Sequence, residues 1–308
     1  MITVKNLQKN YGPLRALDNV DFEVQQGEIL ALLGPNGAGK TTAMKIITGF
    51  LKSDAGSVEI DGELLEEKSL LRLQNKIGYL PENAPLYPEL NVWEHLDFMA
   101  SVHGIAKEDR EKAIREAAKT CGLMEKLYAD VSELSKGYKQ RLGLAQALIH
   151  DPEILILDEP TTGLDPNQII EIRKFITSLG KKKTIILSTH IMQEVEAIAD
   201  RVVVINKGRL VGEGTPESLG GQDSVHCTRI TIKGCPKKTE RHLKKIKNVD
   251  RIEHRPSKEK GVIEVSVFTT EDMRSDIVKA LALAELELLE IISEKQTMED
   301  IFQKLTQK

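Results

Sequence analysis

Hydrophobic residues recur along the chain in two patterns, one typical of buried strands and one typical of amphipathic helices. Continuous apolar runs, separated by stretches with helical periodicity, occur at Ile29–Leu33, Ile154–Leu157, Thr184–Ser188 and Arg201–Ile205. A strand that is covered on both faces is apolar throughout, whereas a half-exposed strand alternates. Because helices separate these strands, the pattern predicts an α/β fold built on a parallel sheet.

The remaining segments differ in character. Up to residue 80, strand-like runs alternate with glycine turns, and residues 89–150 are polar with a helical pattern. A turn-rich segment, Gly212–Gly221, predicts a domain boundary between residues 220 and 221. Beyond it, the order β-α-β-β-α-β predicts a small α+β domain of the ferredoxin-like type over residues 221–308, which ends in a helix at Met298–Thr306.

Composition narrows the class of protein. The chain has 308 residues, a net charge of −4 and three cysteines, none of them in a Cys-x-x-Cys pair. These values argue against a disulfide framework and against a general attraction to nucleic acid. No apolar run approaches the roughly 20 residues of a membrane-spanning helix, and the N-terminus lacks the apolar core of a secretion signal. We therefore expect a cytoplasmic protein.

The strongest motif lies between the strand Ile29–Leu33 and a helix predicted at Lys40–Ile47. Residues 34–41, with the sequence GPNGAGKT, match the pattern G-x-x-x-x-G-K-[ST] of phosphate-binding loops. Glycines let backbone amides converge on phosphate oxygens, and the helix N-terminus adds partial positive charge. We expect Lys40 to reach the β- and γ-phosphates and the Thr41 hydroxyl to coordinate Mg²⁺. A glycine-rich turn that binds nothing is a poor alternative in this strand–loop–helix context.

Two adjacent carboxylates end the apolar strand Ile154–Leu157. Side chains alternate along a strand, so we expect Asp158 and Glu159 to point in different directions and to contact different groups. Asp158 is placed to hold Mg²⁺ through a water, and Glu159 to polarise the attacking water. An arbitrary Asp-Glu pair is more often a pair of solvated loop acids. Here the buried strand before it and the phosphate loop upstream favour a role in hydrolysis.

These motifs and four further segments together resemble the ATP-binding cassette (ABC) ATPase family. Leu134–Tyr138, with the sequence LSKGY before a helix predicted at Lys139–Ile149, is similar to the LSGGQ signature of the family. Asp165 resembles the D-loop aspartate, and His190 resembles the switch histidine. Tyr11 resembles the aromatic residue that stacks on adenine. All of these segments follow the order that is typical of the family.

The resemblance implies a P-loop NTPase fold over residues 1–220, with a mixed sheet core, an antiparallel β subdomain and a helical subdomain at about 83–150. A small α+β domain would follow over residues 221–308. The substrate would be ATP and the cofactor Mg²⁺, with metal contacts from Thr41, Asp158 and Glu82 and catalysis by Glu159 and His190. The implied ATP-binding residues are Tyr11, Gly34, Pro35, Asn36, Gly37, Ala38, Gly39, Lys40, Thr41, Thr42, Ser135, Gly137 and Asp165.

In the family, two cassettes close on two ATP molecules, so that Ser135 and Gly137 of one copy would face the γ-phosphate of the other. The resemblance therefore implies a homodimer, or a heterodimer with a similar cassette, on the inner face of the cell membrane. The other partner would be an integral membrane permease, received near Leu86 and Tyr87, and no nucleic acid is expected. Trp93 and Phe98 lie in the same region, and the sequence is equally compatible with their contacting the permease and with their packing inside the helical subdomain.

Two segments depart from the usual pattern of the family. Glu82 stands where Gln is usual, and its carboxylate can ligate Mg²⁺ but adds negative charge near the phosphates. Lys136 and Tyr138 replace Gly and Gln of the signature, while Ser135 and Gly137 are retained. Both departures are similar to cassettes of ABC-2-type exporters, in gliding-motility-like and sodium- or drug-efflux-like systems. The sequence alone does not indicate how these departures change the rate of ATP turnover.

Two alternatives stay open. Soluble cassette ATPases that act on DNA or ribosomes usually have two cassettes in one chain or a long coiled-coil insertion, and this chain has neither. A P-loop GTPase usually carries N-K-x-D, and the nearest match, Asn206–Arg209, lacks the Asp. The basic stretch Lys233–Lys260 is typical of a solvated face, or of a surface near anionic lipid.

Overall fold

Strands and helices alternate through most of the chain. The computed structural model describes residues 1–221, 226–244, 246–255 and 261–294. The chain forms two compact units, Met1–Pro216 and Glu217–Lys308. The elements up to residue 221 are β1 (Ile2–Tyr11), β2 (Leu14–Val24), β3 (Ile29–Leu33), α1 (Lys40–Ile47), β4 (Ala55–Ile60), β5 (Glu63–Leu64), α2 (Leu70–Gln74), β6 (Ile77–Leu80), α3 (Val92–Val102), α4 (Lys107–Thr120), α5 (Lys136–Leu148), β7 (Ile154–Asp158), α6 (Pro166–Gly180), β8 (Thr184–Thr189), α7 (Met192–Ile198), β9 (Arg201–Asn206), β10 (Arg209–Gly214) and α8 (Pro216–Gly221).

A sheet with the strand order β10-β9-β3-β8-β7-β6 forms the centre of the first unit. Its neighbouring strands are parallel, except that β10 is antiparallel to β9. Every residue of β3, β7 and β8 is buried, which explains their continuous apolar sequences. Because parallel strands end at the same edge of a sheet, this order brings together the loops after β3, β7 and β8.

A second, antiparallel sheet with the order β2-β1-β4-β5 shares one hydrophobic core with the central sheet and α1. Ile2 pairs with Val24 on one side and with Ile60 on the other, and all three side chains are buried. Leu30 and Met44 join the same core. Burying one such side chain stabilises the fold by about 1.5–3 kcal/mol. The predicted α/β class, with a mixed central sheet and an antiparallel β layer, is confirmed.

The chain between β6 and β7 is helical, and side-chain caps explain where two of its helices, α3 and α5, begin. Asn91 and Glu94 form a reciprocal capping box at the start of α3, with N–O distances of 2.9 and 3.0 Å. At the start of α5, the Ser135 hydroxyl accepts a hydrogen bond from the Tyr138 amide at 3.4 Å. The helix therefore begins at Lys136, earlier than the predicted start at Lys139.

The segment Gly212–Gly221, predicted as turns, has regular structure. Gly212 and Gly214 pair with Val204 and Val202 in β10, and Pro216 begins α8. The prediction of a turn-rich stretch was therefore wrong. An edge strand tolerates glycine, and proline suits the first position of a helix, where its missing amide is not needed.

The second unit has its own sheet and core. Its antiparallel sheet has the order β12-β13-β11-β14 and buries Ile230 and Val265 against Leu243 and Ile277 of two helices. The first of these helices begins at Pro236 rather than at the predicted Thr239. The elements are β11 (His226–Lys233), α9 (Pro236–Leu243), β12 (Val249–Arg255), β13 (Val262–Thr269), α10 (Arg274–Leu283) and β14 (Glu287–Glu294).

Two expectations concern parts of the chain that the structure covers incompletely. The helix predicted at Met298–Thr306 lies outside the described residues, as does the end of the basic stretch, residues 256–260. Within the described ranges, none of the helices combines the length and the apolar character that crossing a membrane requires.

Candidate nucleotide-binding site

A cavity of about 670 Å³ opens at the edge of the central sheet where β3 and β7 end. Its wall combines the loop before α1 with the acid after β7, the histidine after β8 and the turn between β1 and β2. The predicted residues Gly34 and Pro35 lie behind this wall, where their carbonyl groups contact Lys40. The wall is formed by Tyr11, Leu14, Arg15, Ala16, Asn36, Gly37, Ala38, Gly39, Lys40, Thr41, Thr42, Glu82, Glu159, Thr162, His190 and Lys207.

The loop between β3 and α1 needs glycine at two positions. Gly39, the residue before α1, has a φ of 111°, and a Cβ there would lie 2.5 Å from the carbonyl oxygen of Ala16. A Cβ on Gly34 would overlap the carbonyl oxygen of Ile205. The loop can therefore pass close to its neighbours and enter α1 at the cavity. The unpaired amides of a helix N-terminus at this point attract anions.

The side chain of Lys40 is buried among oxygen atoms. Its Nζ donates to the carbonyl oxygens of Gly34 at 2.7 Å and Pro35 at 3.3 Å. It also lies 3.4 Å from Oε1 of Glu159, and only 6% of the side chain is exposed. An ammonium group held at a helix N-terminus makes this end of the cavity suitable for phosphate.

Asp158, the last residue of β7, is buried and held by two hydroxyl groups. Its Oδ1 accepts hydrogen bonds from Oγ of Ser188 at 2.6 Å and from Oγ1 of Thr41 at 3.2 Å. Its Oδ2 is buried without a hydrogen-bond partner among the described residues. Such an oxygen suits a hard cation, and Mg²⁺ prefers oxygen ligands. Asp158 and Thr41 therefore fit a magnesium ion at this end of the cavity.

Glu159 follows the strand in the left-handed backbone region, with a φ of 50°. Its Oε2 lies 2.9 Å from Nδ1 of His190 and 3.3 Å from the hydroxyl of Thr162, while its Oε1 faces Lys40. Its amide donates to Oγ of Ser188 at 2.9 Å. A non-glycine residue in this backbone region costs about 1–3 kcal/mol, which the surrounding contacts must offset. Asp158 and Glu159 thus have different neighbours, although they are adjacent in sequence.

Tyr11 and His190 line the same cavity and are partly exposed. Tyr11 is 47% exposed, and the side chain of His190 is 43% exposed. Tyr11 ends β1 and Leu14 begins β2, so the turn between them offers an aromatic ring and an aliphatic side chain. A flat apolar surface of this kind suits stacking against a nucleotide base.

Glu82 is exposed and lies on the cavity wall after β6. In β6 itself, the Tyr79 hydroxyl is buried without a hydrogen-bond partner among the residues described. Burial, together with the negative charge of Asp158, raises the pKa of Tyr79 well above its usual range. The Tyr79 phenol therefore stays neutral. Glu82, which follows β6, places a carboxylate on the cavity wall.

The signature and D-loop residues lie at the N-termini of two helices. Ser135 caps α5, and Asp165 caps α6 by accepting from the Gln168 amide at 3.0 Å. Gly137 lies against Gln168, because a Cβ on Gly137 would be 2.7 Å from that side chain. The two helix N-termini are therefore neighbours. Among the described residues of one chain, the cavity wall includes none of Ser135, Gly137 and Asp165.

Three buried polar residues that support the cavity escaped the motif patterns. Ser188 could have been found, because it lies one residue before the end of β8, next to the strand that ends in Asp158, and the two residues pair in the sheet. The other two lie on helices, where no sequence pattern distinguishes them from surface residues. The three residues are Gln140, Ser188 and Glu194.

Comparisons with known proteins show which family the chain belongs to. The family model described as "ABC transporter" matches residues 17–162. An uncharacterized ABC transporter ATP-binding protein of Bacillus subtilis, YdbJ, is 31% identical over 99% of this chain and 95% of its own length. The linearmycin resistance ATP-binding protein LnrL of the same organism is 30% identical over 99% and 98%. The Nod factor export ATP-binding protein I of Burkholderia lata is 37% identical over 76% of each chain.

One similar solved structure is a dimer that contains the products of ATP hydrolysis. The dimeric post-hydrolysis state of the ATP-binding cassette MJ0796, bound to ADP and Pi, is 28% identical to this chain with a TM-score of 0.64. That match covers 70% of this chain and 98% of the other. The chain therefore belongs to the ABC transporter family, as an ATP-binding subunit that hydrolyses ATP.

Proposed function

We propose that this chain is the ATP-hydrolysing subunit of an ABC-2-type exporter and drives a separate membrane permease. Relatives named for Nod factor export and for linearmycin resistance support the direction of transport. The alternative, a soluble cassette that acts on DNA or ribosomes, finds no support in these relatives. The proposed location is the inner face of the cell membrane, through the permease.

The observation that carries the proposal is the separation of the signature residues from the cavity within one chain. The wall contains Lys40 and Glu159, whereas Ser135 and Gly137 lie at the start of α5 outside it. A second copy facing the cavity would supply its own Ser135, Gly137 and Asp165 to the γ-phosphate. We propose a homodimer, or a heterodimer with a similar cassette, in which ATP joins the two copies.

Within each cavity, we assign the chemistry to residues that already contact one another. Lys40 would bind the β- and γ-phosphates from the helix N-terminus. Glu159 would accept the proton of the attacking water at its carboxylate, and His190 would contact the γ-phosphate while its Nδ1 faces Glu159. Tyr11 would stack on adenine. The products are ADP and phosphate.

Mg²⁺ is proposed as the cofactor that accompanies ATP. Thr41 and Asp158 would hold it, because the buried Oδ2 of Asp158 has no donor among the described residues. Glu82 is the third proposed ligand, from its place on the wall. When bound, the ion would neutralise charge on the phosphates.

The proposed permease-docking surface is a groove between the core and the helical segment. The groove has a volume of about 300 Å³, and its wall includes Phe50, Leu71 and Val102. These side chains are 76%, 77% and 63% exposed, and clustered exposed apolar groups are typical of protein-binding surfaces. Nearby, Tyr87 packs edge-to-face on Phe98 at 5.4 Å, and both rings stay 45% exposed. A short segment of the permease would cover this surface.

We also propose that residues 1–220 form the cassette, with a helical subdomain at about 83–150, and that residues 221–308 form an accessory domain. The sheet and separate core of the second unit support this division.

The decisive experiment uses Glu159→Gln with ATP and Mg²⁺. We expect turnover to fall by about 10²–10⁴-fold, because the base is lost, while ATP still binds. Light scattering after size-exclusion should then show a dimer only when ATP is present. Adding Ser135→Arg should return the protein to monomer without loss of ATP binding. A monomer in saturating ATP for Glu159→Gln alone would contradict the two-copy site.

A further inference from the structure

We propose that Glu194 is a positioning residue for hydrolysis, because its carboxylate ties the loop after β7 to the loop after β8. The inference rests on the proposed roles of Glu159 and His190, which these two loops carry. Glu194 touches neither of the proposed reacting groups directly. It acts by holding the segments on which they stand.

Each oxygen of the Glu194 carboxylate holds one of the two loops. Glu194 lies in the first turn of α7 and is 1% exposed. Its Oε1 accepts a hydrogen bond from the hydroxyl of Thr161, and its Oε2 accepts one from the hydroxyl of Thr189 at 2.7 Å. One side chain therefore links the loop after β7 to the end of β8, beyond the last pair of the two strands, Asp158 and Ser188.

The two anchor threonines stand next to the proposed catalytic groups. Thr161 follows Glu159 by two positions, and Thr189 directly precedes His190. On the strand side, Ser188 already bridges the loops by accepting from the Glu159 amide at 2.9 Å. Two side-chain bridges, one through Ser188 and the other through Glu194, thus join the segments that carry Glu159 and His190.

The surroundings of Glu194 give its carboxylate little freedom. The Thr189 hydroxyl also accepts from the amide of Ile191 at 3.0 Å, which ties the same bridge to the start of α7. Arg173 places a guanidinium nitrogen 3.9 Å from Oε1 and offsets part of the buried charge. A buried carboxylate is costly unless donors surround it, so this one has a single favourable orientation.

Fixing the positions of Glu159 and His190 would matter for the rate of hydrolysis. Glu159 has a backbone conformation of positive φ, and His190 is partly exposed, so neither group is held by packing alone. A displacement of about 1 Å in a catalytic group can reduce turnover by about 10²-fold. Loss of either threonine donor should therefore lower kcat and leave ATP binding intact, because the phosphate loop is held by other contacts.

The test compares Thr161→Val and Thr189→Val with Thr161→Ser and Thr189→Ser. Valine keeps the shape and removes the hydroxyl donor, whereas serine keeps the donor. We expect each valine variant to lose about 10- to 100-fold in kcat, with the Kd for ATP within about twofold of wild type. The serine variants should recover most of kcat. Thr177→Val, on the exposed face of α6, is the matched control and should match wild type.

Three outcomes decide the proposal. Valine variants with wild-type kcat would overturn it. Valine variants in which ATP affinity and melting temperature fall together with kcat would also overturn it, because the bridge would then serve general stability. If Glu159→Gln and His190→Ala both keep full turnover, the proposed function itself fails, whatever the threonine variants do.

Discussion

The cavity edge and the surface formed by the N-termini of α5 and α6 use polar residues in opposite ways. At the cavity edge, Lys40 and Asp158 are buried, and each contacts a residue of another segment: Lys40 lies 3.4 Å from Glu159, and Asp158 accepts a hydrogen bond from Ser188. At the helix surface, Ser135 and Asp165 cap their own helices through contacts three positions away. The first region is assembled by the tertiary fold, whereas the caps of the second region form together with their own helices.

This difference indicates which part of the proposed ATP site one chain provides and which part a second chain would have to provide. In the proposed mechanism, the buried edge of one chain binds phosphate and orients the base. In the proposed dimer, the two exposed and capped helix ends would offer hydroxyl, amide and carboxylate groups to the ATP that the other copy holds. We interpret the cavity edge, with Lys40 and Asp158, as a binding half-site. We interpret the helix surface, with Ser135 and Asp165, as a completing half-site that acts on the other copy.

The largest effect that would test this contrast is expected for Lys40→Ala. Removing the ammonium group eliminates charge-assisted bonds to phosphate, each worth about 1.5–3 kcal/mol. ATP affinity should therefore fall by about 10- to 100-fold in a titration of the monomer. Lys45→Ala, at the other end of α1, is the control and should keep wild-type affinity. Equal affinities in the two variants would remove Lys40 from the binding half-site.

The next effect concerns the completing half-site. Ser135→Ala should lower ATP turnover by about tenfold, since one hydroxyl contact is worth about 1.4 kcal/mol in the assembled dimer. ATP binding by the monomer should not change. Ser132→Ala, which is exposed three positions earlier, should behave as wild type in both measurements. A loss of monomer binding for Ser135→Ala would place the serine in the binding half-site instead.

A smaller effect concerns two partly buried histidines of the helical segment, one of which contacts the core. His103 and His150 stack with ring centroids 3.8 Å apart, and Nε2 of His150 lies 3.2 Å from the carbonyl oxygen of Ile77. Burial, assisted by the neighbouring His103, lowers the pKa of His150 to about 4, and burial also lowers the pKa of His103.

The sign of this pH effect follows from the lowered values. The unfolded chain takes up protons at the ordinary histidine pKa of about 6.5, before the folded chain does, so acid favours unfolding. The free energy of unfolding should be highest above about pH 6.5 and should decrease toward pH 4. Urea titrations at pH 7 and pH 5 measure the change, and His150→Gln should reduce it. An identical pH dependence in that variant would contradict this account.

The smallest effect is expected for removal of residues 222–308. The two units have separate cores, so the shortened chain should fold and bind ATP with the affinity of the full chain. Circular dichroism and ATP titration would test this. An insoluble product, or one without ATP affinity, would show that the cassette needs its accessory segment.

Much of the fold could be predicted where local pattern and tertiary role coincide. The strand Ile29–Leu33 was predicted with the bounds observed for β3, because full burial makes it continuously apolar. The strand Ile77–Leu80 was not predicted, since it is short and includes Gly78. That glycine is needed because a Cβ would overlap the carbonyl oxygen of Ala147. The strand β10 was missed for a related reason, as its glycines were interpreted as turns.

By itself, the sequence determined the phosphate loop, the acidic pair and the family, because each motif depends on residues within a few positions of one another and the family shows in the order of the motifs. Only the tertiary structure decided which groups meet. Thr41 and Asp158 are 117 positions apart and share a hydrogen bond at 3.2 Å, and Glu194 reaches back 33 positions to Thr161. Such contacts depend on strand order and register, which local residue patterns do not contain.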